Sequence, residues 1–103
     1  MSTYILTYRA PKGYAPGAPE VVAEWRAFFD GLGANLAERG NPVFARTATG
    51  DCGPDTELGG YSIVTADDMD SAVALAKGCP FVDAGGGVEV GQLTFLTPSG
   101  GLS

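Results

Sequence analysis

The stretch Leu58-Gly59-Gly60-Tyr61-Ser62-Ile63-Val64-Thr65-Ala66-Asp67-Asp68-Met69-Asp70-Ser71-Ala72-Val73-Ala74-Leu75-Ala76-Lys77-Gly78 changes its periodicity once, and that change decides the fold. Leu58 to Thr65 alternates and is rich in β-branched and aromatic residues, with Tyr61 and Ile63 on one face, which predicts a strand. From Asp67 the apolar repeat lengthens to three and four. Asp67 is expected to cap a helix, Asp70 three residues on completes an acidic variant of the capping box, and Met69, Ala72, Val73 and Ala76 form the buried stripe. Gly78 stops that helix. Cys79 to Ala84 then predicts one further helical turn, Gly85-Gly86-Gly87 a turn, and Val88 to Leu96 a final strand.

Upstream the same pattern occurs once more. Thr3, Ile5, Thr7 and Arg9 alternate with Tyr4, Leu6 and Tyr8, a first strand. Ala10 to Pro19 holds three prolines and two glycines and is expected to be a surface loop. Glu20 to Arg39 places Val21, Val22, Trp25, Phe28, Phe29, Leu32 and Leu36 at helical spacing, with Pro19 at its start and Gly40-Asn41-Pro42 beyond its end. Val43 to Thr49 predicts a second strand, joined in a hairpin to the one at Leu58 through the turn cluster Gly50 to Glu57. The order β-α-β-β-α-β is the ferredoxin-like arrangement of the α+β class, an antiparallel sheet with two helices on one face. It forms a single domain over residues 1–96, with 97–103 expected to be a loose tail.

Alternation also assigns the faces. Tyr4, Leu6, Tyr8, Val43, Ala45, Tyr61, Ile63, Val88 and Val90 are expected under the helices. Ile5, Thr7, Arg9, Phe44, Arg46, Gly60, Ser62, Val64, Glu89, Gly91 and Leu93 are expected on the open face, too apolar for water and too charged for an ordinary core. A second copy covers such a face, and two sheets packed together enclose a semi-polar barrel interior in which a small molecule can bind. Arg9, Arg46, Ser62 and Glu89 are the ligand-binding candidates there. The bland alternative pairs Glu89 with Arg9 or Arg46 across the sheet or the dimer.

Composition excludes more than it identifies. With 103 residues there is room for one core, and 12 acidic against 6 basic side chains leave a net charge of −6, the wrong sign for nucleic acid or an anionic membrane. No histidine is present, which removes the commonest acid/base and metal ligand. The acidic runs at Asp51 to Glu57 and Asp67 to Asp70 lack the spacing of a calcium loop, and no metal or cofactor is expected. Cys52 and Cys79 are expected to be free thiols of a cytoplasmic chain.

The string from Gly59-Gly60-Tyr61 through Ala76-Lys77-Gly78-Cys79-Pro80 to Gly86-Gly87-Val88-Glu89-Val90, supported by Trp25 and Gly40-Asn41-Pro42, resembles the YCII-related family. The resemblance implies a dimeric α+β barrel. The family branch with an active-site His and Asp has no counterpart in a chain without His. The branch with an Asp-Gly-Pro-Phe motif is matched only by Asp51-Cys52-Gly53-Pro54-Asp55. The reading is therefore a homodimer that binds a small molecule with no recognisable catalytic dyad. A cofactor-independent lyase, isomerase or oxygenase acting on a small aromatic or lactone-like compound is one alternative, with Glu89 as the strand-borne base. A purely structural dimer is the other.

Overall fold

The computed structural model describes residues 1–15 and 17–96. Along the chain run β1 (Ser2–Pro11), α1 (Pro19–Leu32), a 3₁₀ turn (Gly33–Asn35), β2 (Leu36–Glu38), β3 (Thr56–Ala66), α2 (Met69–Ala76), α3 (Pro80–Asp83) and β4 (Gly87–Gln92). The four strands form one sheet in the order β2-β3-β1-β4. Every neighbouring pair is antiparallel. This is the expected ferredoxin-like α+β sheet, with β1 and β3 in its middle.

One face carries the core. Tyr4, Leu6, Tyr8 and Ala10 of β1 are buried against Phe28 and Leu32 of α1, Ala72 and Ala76 of α2, and Phe81 of α3. The small residues Ala72 and Ala76 let α2 sit close to the sheet, so Met69 and Val73, expected in its stripe, turn outward and are partly exposed. Its cap is Asp68, whose carboxylate accepts a 2.8 Å hydrogen bond from the Ser71 backbone N–H, and not the preceding Asp67.

Three expected element extents shift. The helix predicted over 20–39 ends at Leu32, because Gly33 adopts φ +53°, a left-handed conformation, and the chain then extends so that Leu36 pairs with Val64. The strand predicted over 43–49 is irregular. Pro42 has no N–H to give a ladder, and backbone pairing with β3 there consists of a Pro42–Gly60 bridge flanked by hydrogen bonds from Val43 N–H to the Gly59 carbonyl and from Tyr61 N–H to the Asn41 carbonyl. β2 and β3 are thus antiparallel neighbours joined by the long connection 39–55, not a tight hairpin. The strand predicted over 88–96 stops at Gln92. The tail 97–103 lies outside the described residues.

A fourth departure bears most on the site: β3 presents the opposite face to the one its alternation suggests. The register sets Tyr4 beside Val64, Leu6 beside Ser62 and Tyr8 beside Gly60, so Gly60, Ser62 and Val64 lie under the helices. Ser62 and Val64 are both fully buried. Tyr61 and Ile63 share the open face with Thr7 and Ile5. The rings of Tyr8, Trp25 and Phe28 already fill the space beneath α1, leaving room for a hydroxymethyl and a hydrogen where a tyrosine and an isoleucine were expected. Gly60 is needed on a second count: a Cβ there would lie 2.8 Å from the Asn41 carbonyl oxygen, and its φ is +147°. Its missing side chain lets the 39–46 connection cross β3.

Candidate functional site

That crossing creates a cavity. Val22, Trp25, Arg26 and Phe29 fall at helical spacing on one side of α1, and the connection from Arg39 to Arg46 stands opposite, with Tyr8 and Gly60 between them. The cavity is partly open to solvent and has a volume of about 450 Å³, within the usual span of small-molecule sites. Phe44, expected on the open face, is 72% exposed at this cavity's rim.

Aromatic rings build the inner wall. Trp25 meets Tyr8 edge to face at 5.1 Å and Phe81 at 4.8 Å, and Tyr14 meets Phe81 at 4.7 Å. Interlocked perpendicular rings hold one another's orientation and present flat apolar surface to whatever enters. Tyr14 comes from the segment expected to be open loop. It folds back through its N–H to the Pro11 carbonyl, and the Trp25 indole N–H donates to its hydroxyl oxygen at 3.0 Å.

The directions of these hydrogen bonds are fixed by what each partner can do. An indole nitrogen only donates, so Tyr14 accepts and keeps its own hydroxyl proton for another acceptor. A carbonyl only accepts, so the Ser62 hydroxyl proton goes to the Arg39 carbonyl at 2.6 Å, and Tyr8 must then donate to Ser62 Oγ at 2.8 Å. The Tyr8 oxygen is left as an acceptor. Burial pushes the Tyr8 phenol up to about 12, so it holds its proton at neutral pH and does not serve as a base.

Charge at the mouth is positive. Arg39 lies over the Phe29 ring at 4.4 Å, Arg46 Nη1 pairs with Glu57 at 2.9 Å and its Nη2 donates to the Val43 carbonyl, and Arg26 makes no hydrogen bond or ion pair among the described residues. Glu57 is the one carboxylate lining the cavity among the described residues.

The four expected site residues therefore do not converge. Arg46 stands at the cavity. Ser62 is buried beneath Tyr8, not on the open face, and acts as a hydrogen-bond link. Arg9 and Glu89 lie on the open face beside a shallow depression with Thr7 and Thr56. Arg9 does not pair with Glu89: its Nε donates to Thr56 Oγ1, and one terminal nitrogen donates to the carbonyls of Cys52 at 2.8 Å and Thr56 at 3.0 Å. Its role is to pin the 50s loop to β1. Trp25, Tyr14, Arg26 and Arg39 were not expected at a site, although Arg26 breaking the apolar stripe of α1 was visible in the sequence.

Cys79 is buried at the start of α3, and desolvation pushes its thiol up to about 11 against the opposing pull of the Phe81 and Val82 backbone. That makes it a packing group. Among the described residues no cluster of His, Cys, Asp or Glu is placed to hold a metal ion, and no helix is long and apolar enough to cross a membrane.

Comparison with known proteins adds two matches. The YCII-related domain matches residues 1–94. Among solved structures, the chain is similar to 5-chloro-2-hydroxyhydroquinone dehydrochlorinase (TftG) from Burkholderia phenoliruptrix AC1100, in complex with 2,5-dihydroxybenzoquinone. The two share 26% identity at a TM-score of 0.51, over 87% of this chain and 92% of that one. No curated protein matches significantly.

Proposed function

The chain belongs to the YCII-related domain family, and on that premise we propose that it binds a small planar aromatic or quinone-like molecule in the cavity between α1 and the sheet. The observation that carries this is the wall of perpendicular rings, Tyr8, Tyr14, Trp25 and Phe81, closed by a rim of hydrogen-bonding groups. The similar solved structure holds a dihydroxybenzoquinone, a molecule of this shape. A ligand that binds only the native state raises the melting temperature, by an amount set by its concentration over its Kd. A panel of hydroxylated benzoquinones and benzoates at millimolar concentration is therefore expected to stabilise the protein, and cyclohexanols of equal size are not. No shift from any planar compound would end this reading.

A second reading is favoured by the dehydrochlorinase activity named for that relative: a cofactor-independent lyase on the same compound class. Glu57 is then the base, since among the described residues it is the one carboxylate lining the cavity, and Arg46 fixes its position. Glu57→Gln would abolish turnover and leave binding in place.

The assembly we propose is a homodimer through the open sheet face. Ile5 and Ile63 are half-buried apolar residues on that face, turned away from the helices, which supports a second sheet packing there. The net charge of −6 supports a protein that avoids nucleic acid.

A further inference from the structure

Resting on the cavity as the ligand site, we infer that the ligand enters as an anion and that Arg26 is the residue that selects it. The chain has 6 basic side chains in all, and Arg26, Arg39 and Arg46 line this one cavity. In a protein of net charge −6 this concentration of cations runs against the general field. Glu57 neutralises only one of the three, so the lining keeps a surplus of positive charge.

The three guanidiniums are not equivalent. Arg46 is committed to Glu57 and the Val43 carbonyl, and Arg39 is stacked on Phe29. Among the described residues Arg26 has no partner: Asp30, one turn further along α1, is at the right spacing for an ion pair, yet no such pair forms. Its neighbours on α1, Val22, Trp25 and Phe29, are the apolar wall, so a ring lying against Trp25 brings its edge to a free planar fork of N–H donors. A carboxylate or a delocalised enolate matches that fork with two oxygens, and the unused Tyr14 proton supplies a further donor. The ligand class is a planar hydroxylated aromatic or quinone that is ionised at neutral pH.

Calorimetric titration with 2,5-dihydroxybenzoquinone, an acidic enol ionised at neutral pH, and with 2,5-dimethoxybenzoquinone, the same ring without an ionisable group, tests this. The native protein is expected to prefer the dihydroxy compound by about tenfold or more. Arg26→Gln should bring the two affinities close to parity, and Arg26→Lys should restore part of the preference. Glutamine is a good former of exposed helix, so the melting temperature of Arg26→Gln should not change. Equal affinity of the native protein for both compounds, or an unchanged preference in Arg26→Gln, overturns the role of Arg26 while the cavity reading stands. Failure of both compounds to bind overturns the cavity reading and this inference with it.

Discussion

Replacing Ser62 with alanine removes one hydroxyl that links three elements. Ser62 is 0% exposed, it accepts from Tyr8 of β1, and it donates to the carbonyl of Arg39 in the connection that frames the cavity. The Tyr8 donor and the Arg39 acceptor both lose their partner. An orphaned buried polar group costs about 1–3 kcal/mol. Arg39 is exposed and its carbonyl is open to rehydration, so the cost falls mainly on the buried Tyr8 hydroxyl, and about 2 kcal/mol is expected for Ser62→Ala. For a domain of this size that lowers Tm by roughly 8–16 °C. Tyr8→Phe leaves the Ser62–Arg39 bond intact and should cost about 1 kcal/mol. The double variant removes the Tyr8–Ser62 bond only once, so its cost should fall short of the sum by about 1 kcal/mol. Urea denaturation followed by Trp25 emission reads all four corners of the cycle. Additivity within about 0.3 kcal/mol would show that the hydroxyls are not coupled and that the link across the cavity floor does not operate.

Two buried acids make the protein sensitive to alkali. The folded values of Tyr8, about 12, and Cys79, about 11, lie above their ordinary ones. Folding thus favours their protonated forms, and that stability is complete below the ordinary values and is lost as pH rises through the folded ones. Denaturant midpoints should fall from about pH 9 upward, and a flat profile to pH 12 would contradict the burial of both groups. In native protein a thiol reagent should label Cys52 and spare Cys79, with both reacting after unfolding. Asp68 moves the other way. The Ser71 N–H holds its carboxylate below the ordinary value, so its contribution is present above that value and is lost as pH falls. Asp68→Ala should be less stable than the native chain at pH 7, with the gap closing in acid, and a gap independent of pH would contradict the capping role. Ile63→Asp, on the open face, should leave the fold intact and halve the solution mass seen by light scattering. An unchanged mass would show that this face is not the interface.

The element order was legible in the sequence because local patterns set it: alternation in β1, helical spacing through Trp25, Phe28, Phe29 and Leu32, and an acidic cap before α2. The stretch from Gly33 to Thr49 was not. There the outcome depends on Gly33 turning left-handed and on Pro42 withholding a donor, while hydrophobic spacing alone favours a longer helix. The phase of β3 misled for a related reason. Alternation shows that Tyr61 and Ser62 face opposite ways but not which way, and here the smaller residue goes inward because Tyr8 supplies both bulk and a hydrogen-bond donor. With that phase reversed, Ser62 was expected on the open face beside Arg9 and Glu89, and its link to Tyr8 on the helix side went unseen. The cavity is assembled from α1, the 39–46 connection and Tyr14, segments that come together only in the folded chain.

The most direct test is a crystal structure of the protein soaked with 2,5-dihydroxybenzoquinone. The ring is expected between α1 and β3, flat against the Trp25 wall, with its oxygens toward Arg26 and Tyr14. A ring bound instead on the open sheet face against Ile5 and Ile63, or beside Arg9 and Glu89, would contradict this placement.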